Sequence, residues 1–238
     1  MKQTLHKSNT RGHANHGWLN SNFTFSFADY YDSKRMHFGV LRVINDDTIL
    51  GKNGFGMHPH QNMEIITFPL SGALEHEDSM GNKGIIRKGE IQVMSAGTGI
   101  YHSEYNALED EDLTLLQIWV LTGKQNVKPR YAQFEYTPFL KPNEFLQIVS
   151  PNESDHGAFI HQNGYVSYGE FDSSKETSYQ IKAEGNGLYV FVIDGTISVN
   201  GVDLSKRDGV GLEEVAKFDF TFKEPSKVII FDVPMDVN

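Results

Sequence analysis

Short apolar runs that alternate with polar residues recur along the chain, closed by Gly, Asn, Asp and Ser, and helical spacing of apolar positions is scarce. Brief period-two runs bounded by turn residues predict an all-β protein of sandwich or barrel type. The predicted strands are 23–27, 38–44, 64–70, 73–78, 84–88, 90–96 and 113–121, then 145–150, 164–171, 188–194, 196–201, 218–222 and 227–233. The acidic stretch 107–113 reads as a solvated loop. Pro129, Pro138, Pro142 and Pro151 punctuate the middle of the chain, so 127–143 reads as a linker.

The order of runs repeats. The first half reads strand, Ser71-Gly72, strand, turn, strand, Gly89-Glu90, strand; the second reads strand, Asp194-Gly195, strand, turn, strand, Asp208-Gly209, strand. Two copies of one small barrel packed side by side produce this echo.

Two segments carry candidate chemistry, "GFGMHPHQNMEIITF" from Gly54 and "GTGIYHSEYN" from Gly97. His58 and His60 are two apart, as are His102 and Glu104, and residues two apart in extended chain share a face. A lone His-x-His is usually a solvated or packing pair. Two pairs of equal spacing, each preceded by glycines, point instead to four donors converging on one cation. Imidazole and carboxylate suit Fe, Mn, Ni, Co, Cu or Zn. A closed tetrahedral zinc site would use the same four groups and leave no room for substrate, whereas a six-coordinate ion keeps two positions free.

Composition narrows the class. Of 238 residues 39% are hydrophobic, enough for a core, and the absence of cysteine removes disulfides and thiolate ligands. The net charge of −10 opposes a phosphate backbone, and the basic patches "RKGE" and "SKR" are short and turn-like, so direct nucleic-acid binding is not expected. With no apolar leader and no uninterrupted run of about 18 apolar residues, a cytoplasmic protein without membrane contact is expected.

The segments "HGWLNSNFTFSFADYYD", "LRVINDD", "HPH…MEIITF", "HEDSMGNKG" and "MSAGTGIYHSEYN…LQIWV" resemble the pirin family, a branch of the cupin superfamily. The resemblance is specific from about residue 11 to about 137 and weaker beyond, through "HQNGYVSYGEF" and "IDGTISVNG". It implies an all-β bicupin, two double-stranded β-helix (jelly-roll) barrels packed together, with 1–137 the metal-binding N-terminal cupin barrel and 138–238 the metal-free C-terminal one. It implies His58, His60, His102 and Glu104 as ligands of a divalent metal, iron(II) foremost, with Zn, Ni, Mn, Co or Cu as alternatives. Family members with quercetin 2,3-dioxygenase activity imply a small planar aromatic substrate and dioxygen, the flavonol ring being cleaved with loss of carbon monoxide. Glu104, as ligand or released base, is then the catalytic residue that takes the substrate's proton. The mammalian member, an iron-dependent transcriptional coregulator, implies the alternative of a metal- and redox-dependent regulatory protein with a protein partner. Gln61, Asn62 and Met63 depart from the commoner "HPHRGFE" text, which bears on the pocket rim and not on the ligands. In the second barrel "QIKAEGNG" and "FDFTF" stand where the ligand pairs would be.

Other candidates read more plainly. His76 shares parity with Leu74 and Asp78 and reads as a hydrogen-bonded packing histidine that could touch the site. Glu64 shares the parity of His60 and is a rival carboxylate; the resemblance favours Glu104. Ser103 turns away from the ligand face, and "GTG" is a turn, not a phosphate cradle. His13 and His16 belong to an N-terminal arm, and His6, His37, His156 and His161 are structural or surface groups. Phe55, Met57, Phe68, Met94 and Trp119 read first as core, and otherwise as apolar pocket walls.

Overall fold

The computed structural model of the chain describes residues 1–237. Its strands are β1 (Lys2–His6), β2 (Gly12–Asn15), β3 (Leu19–Phe23), β4 (Leu41–Ile49), β5 (Gly54–His60), β6 (Met63–Ser71), β7 (Ala73–Asp78), β8 (Lys83–Arg87), β9 (Glu90–Ser95), β10 (Ile100–Asn106) and β11 (Leu113–Leu121). There follow β12 (Arg130–Glu135), β13 (Leu146–Ser150), β14 (Ala158–Phe159), β15 (Tyr165–Phe171), β16 (Glu176–Gln180), β17 (Asn186–Asp194), β18 (Thr196–Val199), β19 (Val202–Ser205), β20 (Gly209–Glu213), β21 (Lys217–Phe222) and β22 (Ser226–Pro234). No helix among the described residues is long and apolar enough to cross a membrane.

Four sheets result, in the orders β12-β9-β6-β11-β4-β3-β2 and β5-β10-β7-β8, then β1-β20-β17-β22-β15-β13-β14 and β16-β21-β18-β19. The run β9-β6-β11-β4 corresponds in order to β20-β17-β22-β15, and β5-β10-β7-β8 to β16-β21-β18-β19. The echo seen in the sequence is therefore a duplicated cupin-type barrel, each copy built from a seven-stranded and a four-stranded sheet.

Strand alternation sorts the apolar residues. On β11, Leu116, Ile118 and Val120 join Ile66 and Phe68 of β6 in a core shared with Val166, Phe191, Ile229 and Phe231 of the second half. This shared core lies between the two barrels. The alternate residues face the barrel interiors. The second interior is one apolar cluster containing Val190, Ile230, Phe218, Phe220 and Phe222. The first interior is split into two smaller clusters, Leu19–Ile49–Leu74–Ile86–Leu113–Leu115 and Ile65–Met94–Ala96–Ile100. Between them lies the polar ground of the site.

Three sequence expectations need correction. The linker 127–143 contains β12, which pairs antiparallel with β9 along its whole length; Pro129 sits just before the strand, where it removes no ladder donor. Residues 2–6 are in register with β20 (Lys2↔Glu213 to His6↔Gly209), so the N-terminal arm extends the sheet of the second barrel. There β1 covers the β20 edge as β12 covers the β9 edge, and an uncovered edge would leave its backbone groups unpaired. The strand expected at 38–44 starts at Leu41, after a turn at Gly39 (φ 50°), and continues to Ile49. Asn45 and Asp47 do not end it, because both are buried within the sheet.

Candidate metal centre

The two His-containing strands are neighbours. β5 and β10 pair antiparallel with His102 opposite His58, and a bulge between His102 and Glu104 accommodates an extra residue on the β5 side. Close approach here requires a bare backbone: a Cβ on Gly54 would lie 2.2 Å from the Glu104 carbonyl oxygen. Gly97, in the turn before β10, has φ 49° and would meet the Val127 carbonyl at 2.0 Å.

Alternation on β10 buries His102 and Glu104 and leaves Ser103 facing the other way, as expected. The three imidazoles meet: ring centroids are 4.4 Å apart for His58–His102, 4.8 Å for His60–His102 and 4.9 Å for His58–His60. Their ligand atoms all lie within 4.8 Å of one another. Glu104 does not fall within that radius of all three; it groups instead with His102 and His76. The two triples share His102.

Hydrogen bonding separates donors from packing groups. His58 Nδ1 lies 2.8 Å from the Gly56 carbonyl, which only an N–H can satisfy, so Nε2 keeps its lone pair. Both ring nitrogens of buried His102 lack a partner, although buried polar atoms are nearly always paired. A cation would satisfy such a nitrogen, and the donor set fits one. His76 is different: Gln92 Nε2 donates to its Nδ1 at 3.1 Å, and its Nε2 reaches Asp78 at 3.3 Å. It is the hydrogen-bonded packing histidine that its sequence context suggested.

Burial lowers the His60 pKa to about 4, helped by His58, and lowers that of His102 to about 2, helped by the neighbouring imidazoles. Both rings are thus neutral near pH 7, the form that binds metal. Glu104 moves the other way, pushed up to about 7 by burial, against the hydrogen bonds from Thr67 and Gln117 and reinforced by Asp47.

The residues holding Glu104 were not anticipated from sequence. Thr67 Oγ1 donates to Glu104 Oε1 at 3.1 Å and Gln117 Nε2 donates to Oε2 at 2.8 Å. Register places them in one rung that crosses four strands, Asn45–Gln117–Thr67–Gln92. The available signal was a polar residue at an inward position of an otherwise apolar strand, as in "TLLQIWV". Glu64 is corrected from rival ligand to structural group. The corner at Asn62 (φ 48°) resets alternation after His60. Glu64 accepts from Ser95 Oγ at 2.6 Å and Thr122 Oγ1 at 3.1 Å, away from both triples.

A cavity of about 250 Å³ opens onto the imidazoles, walled by Phe23, Phe27, Phe55 and Trp119 and floored by Ser21, Asn45, Asp47 and Gln117. Phe55 and Trp119 are therefore pocket walls, while Phe68 and Met94 are core. Met57 is corrected from core to surface: it alternates with His58 on β5 and is 55% exposed. His16 of the N-terminal arm also borders the cavity. A larger groove of about 430 Å³, beside Leu140, Glu170 and Lys227, includes neither His/carboxylate triple. Neither triple among the described residues lies in the second barrel, where β16 and β21, counterparts of β5 and β10, bring Tyr179, Phe218, Phe220 and Phe222 inward.

Residues 4–120 match the family described as Pirin, and residues 147–233 match the quercetinase C-terminal cupin domain. The chain is similar to a quercetin 2,3-dioxygenase of Escherichia coli, at 43% identity over 230 residues, 97% of this chain and 98% of that protein. It is 38% identical over 222 residues to a pirin-like protein of Caulobacter vibrioides, covering 93% of this chain and 95% of the other. The crystal structure of the bacterial pirin YhhW in complex with nickel(II), from Escherichia coli, superposes with a TM-score of 0.92 at 41% identity, covering 98% of this chain and 99% of that one.

Proposed function

This chain belongs to the pirin family, and from that premise we propose that it is a metal-dependent dioxygenase cleaving a flavonol of the quercetin type. The observation that carries this reading is the buried His102 ring, with both nitrogens unpartnered, beside two further imidazoles at an aromatic-walled cavity. The similarity to a quercetin 2,3-dioxygenase supplies the substrate class.

On this reading His58, His60, His102 and Glu104 hold the ion. A divalent metal bound there, iron(II) in the first place and nickel, zinc, manganese, cobalt or copper as alternatives, supplies a Lewis-acidic centre with positions open to a substrate oxygen and dioxygen. The chain's own residues do the rest. Phe23, Phe27, Phe55 and Trp119 receive the planar rings and exclude water. Gly56 fixes the His58 tautomer. Thr67 and Gln117 aim the Glu104 carboxylate, whose Oε takes the proton that the substrate's hydroxyl gives up on binding.

The test is loss of quercetin absorbance on incubation with metal-loaded protein in air, with no loss under argon. Quercetin left intact by pure protein, iron(II) and air would remove the substrate assignment.

A further inference from the structure

The cavity floor carries a second set of polar groups that the metal chemistry does not use. Asn45 pairs with Phe23 on one side and Gln117 on the other; Asp47 pairs with Ser21 and Leu115. The side chains of Ser21, Asn45 and Asp47 all border the cavity, Asn45 and Asp47 one strand beyond Gln117 and Ser21 two. Each is at least nine-tenths buried: Ser21 is 2% exposed, Asn45 3% and Asp47 4%. Asn45 Oδ1 has no hydrogen-bond partner. The Ser21 hydroxyl donates to Asp47 Oδ1 and is thereby used up. Arg11 and Arg207 do not neutralise Asp47; both bridge to Asp46, the next residue, whose side chain alternates to the opposite face.

Such an arrangement is costly in an empty barrel. An unpaired buried acceptor loses its hydration and gains nothing. The groups on offer are the Asn45 amide, whose oxygen is free, and the Asp47 carboxyl, so a matching ligand must bring donors as well as acceptors. Phenolic hydroxyls qualify, whereas ethers and ring hydrogens do not.

We infer that Asn45 and Asp47, with Ser21 orienting the latter, form a hydroxyl-recognition subsite selecting planar polyphenols that carry free hydroxyls away from the metal-binding edge. The inference rests on the flavonol reading above and adds to it the hydroxylation pattern of the substrate. Burial holds the Asp47 carboxyl up to about 7, against the Ser21 bond, so it meets a neutral ligand without the full cost of a fixed charge.

The test is equilibrium binding under argon, with nickel-loaded protein, of quercetin and of 3-hydroxyflavone. The second ligand keeps the hydroxyl-keto edge and lacks every other hydroxyl. The wild-type protein is expected to bind quercetin at least ~10-fold more tightly, because a site built for hydroxyls rejects the analogue without them. Asn45→Leu and Asp47→Asn should each reduce that ratio to about 3-fold or less, as the unpaired group is removed or altered. Asp47→Asn is isosteric, and the wild-type ratio alone decides should Asn45→Leu fail to fold. A wild-type ratio near one, or a ratio that survives both substitutions, overturns the subsite while leaving the flavonol reading intact. Failure of the wild-type protein to bind either ligand overturns the flavonol reading, and the subsite falls with it.

Discussion

Gln117 points an amide into a barrel whose neighbouring inward positions on the same strand are Leu115 and Trp119, and it spends that amide on Oε2 of Glu104 at 2.8 Å. In the second barrel Leu188, Val190, Val192, Val228 and Ile230 of β17 and β22 face an apolar interior, and Asp232 near the end of β22 is held by the Tyr179 hydroxyl. One copy of the duplicated unit therefore closes over an apolar core, while the other gives up part of its core to a polar rung beneath three imidazoles.

Replacing that amide isolates its role. Gln117→Leu removes one of two donors to the buried carboxylate, and loss of a ligand's orienting partner typically weakens metal binding ~10–100-fold. Chelator competition at pH 7 should show a fall of that size. Unchanged affinity would mean that Gln117 only fills space.

The metal-free protein should respond to pH through Glu104. Its carboxyl sits at about 7 when folded against an ordinary 4.5, chiefly because it is buried. Between those values the folded state binds the extra proton, so this group's contribution to stability is largest below pH 4.5 and is lost as pH rises towards 7. Metal-free Glu104→Gln should therefore gain stability relative to metal-free wild type between pH 5 and pH 8, by about 2 kcal/mol. Urea unfolding at the two pH values measures the difference, and a constant offset would contradict it.

The two triples predict different outcomes for His76 and His102. His102→Ala should abolish metal uptake. His76→Phe should keep one ion per chain while losing about 1–3 kcal/mol of stability, because the buried Gln92 amide is left without its partner. Metal content by elemental analysis and chemical denaturation check both. Loss of the ion in His76→Phe would move the ligand set inward.

The core shared between the barrels predicts joint unfolding. Both tryptophans, Trp18 and Trp119, belong to the first barrel, so their fluorescence reports on it alone. Phe220→Ala empties a place in the second barrel, at a cost of about 3–5 kcal/mol. The fluorescence midpoint should shift with the circular dichroism midpoint. A fluorescence transition that stays in place would show independent barrels.

Much of this was legible in the chain. His58, His60 and His102 stand out in the sequence, and with them Glu104 as a candidate, because period-two spacing survives within a strand; the same rule fails for Glu64, where the corner at Asn62 separates it from His60. β7 and β11 are readable from alternation, whereas β4 runs on through the polar "NDD" to Ile49. Asn45, Thr67, Gln92 and Gln117 are not legible from alternation: a polar residue in an apolar run declares its purpose only when register lines it up with others. The pairing of β1 with β20 joins residues some two hundred positions apart, and no local pattern encodes that.

The ligand set itself is tested most directly by anomalous scattering from crystals of protein loaded with nickel(II) or iron(II). One peak per chain should lie about 2.1 Å from a nitrogen of each of His58, His60 and His102 and from a Glu104 oxygen, the usual reach of these donors. A peak held by His76, or one elsewhere on the molecule, would contradict it.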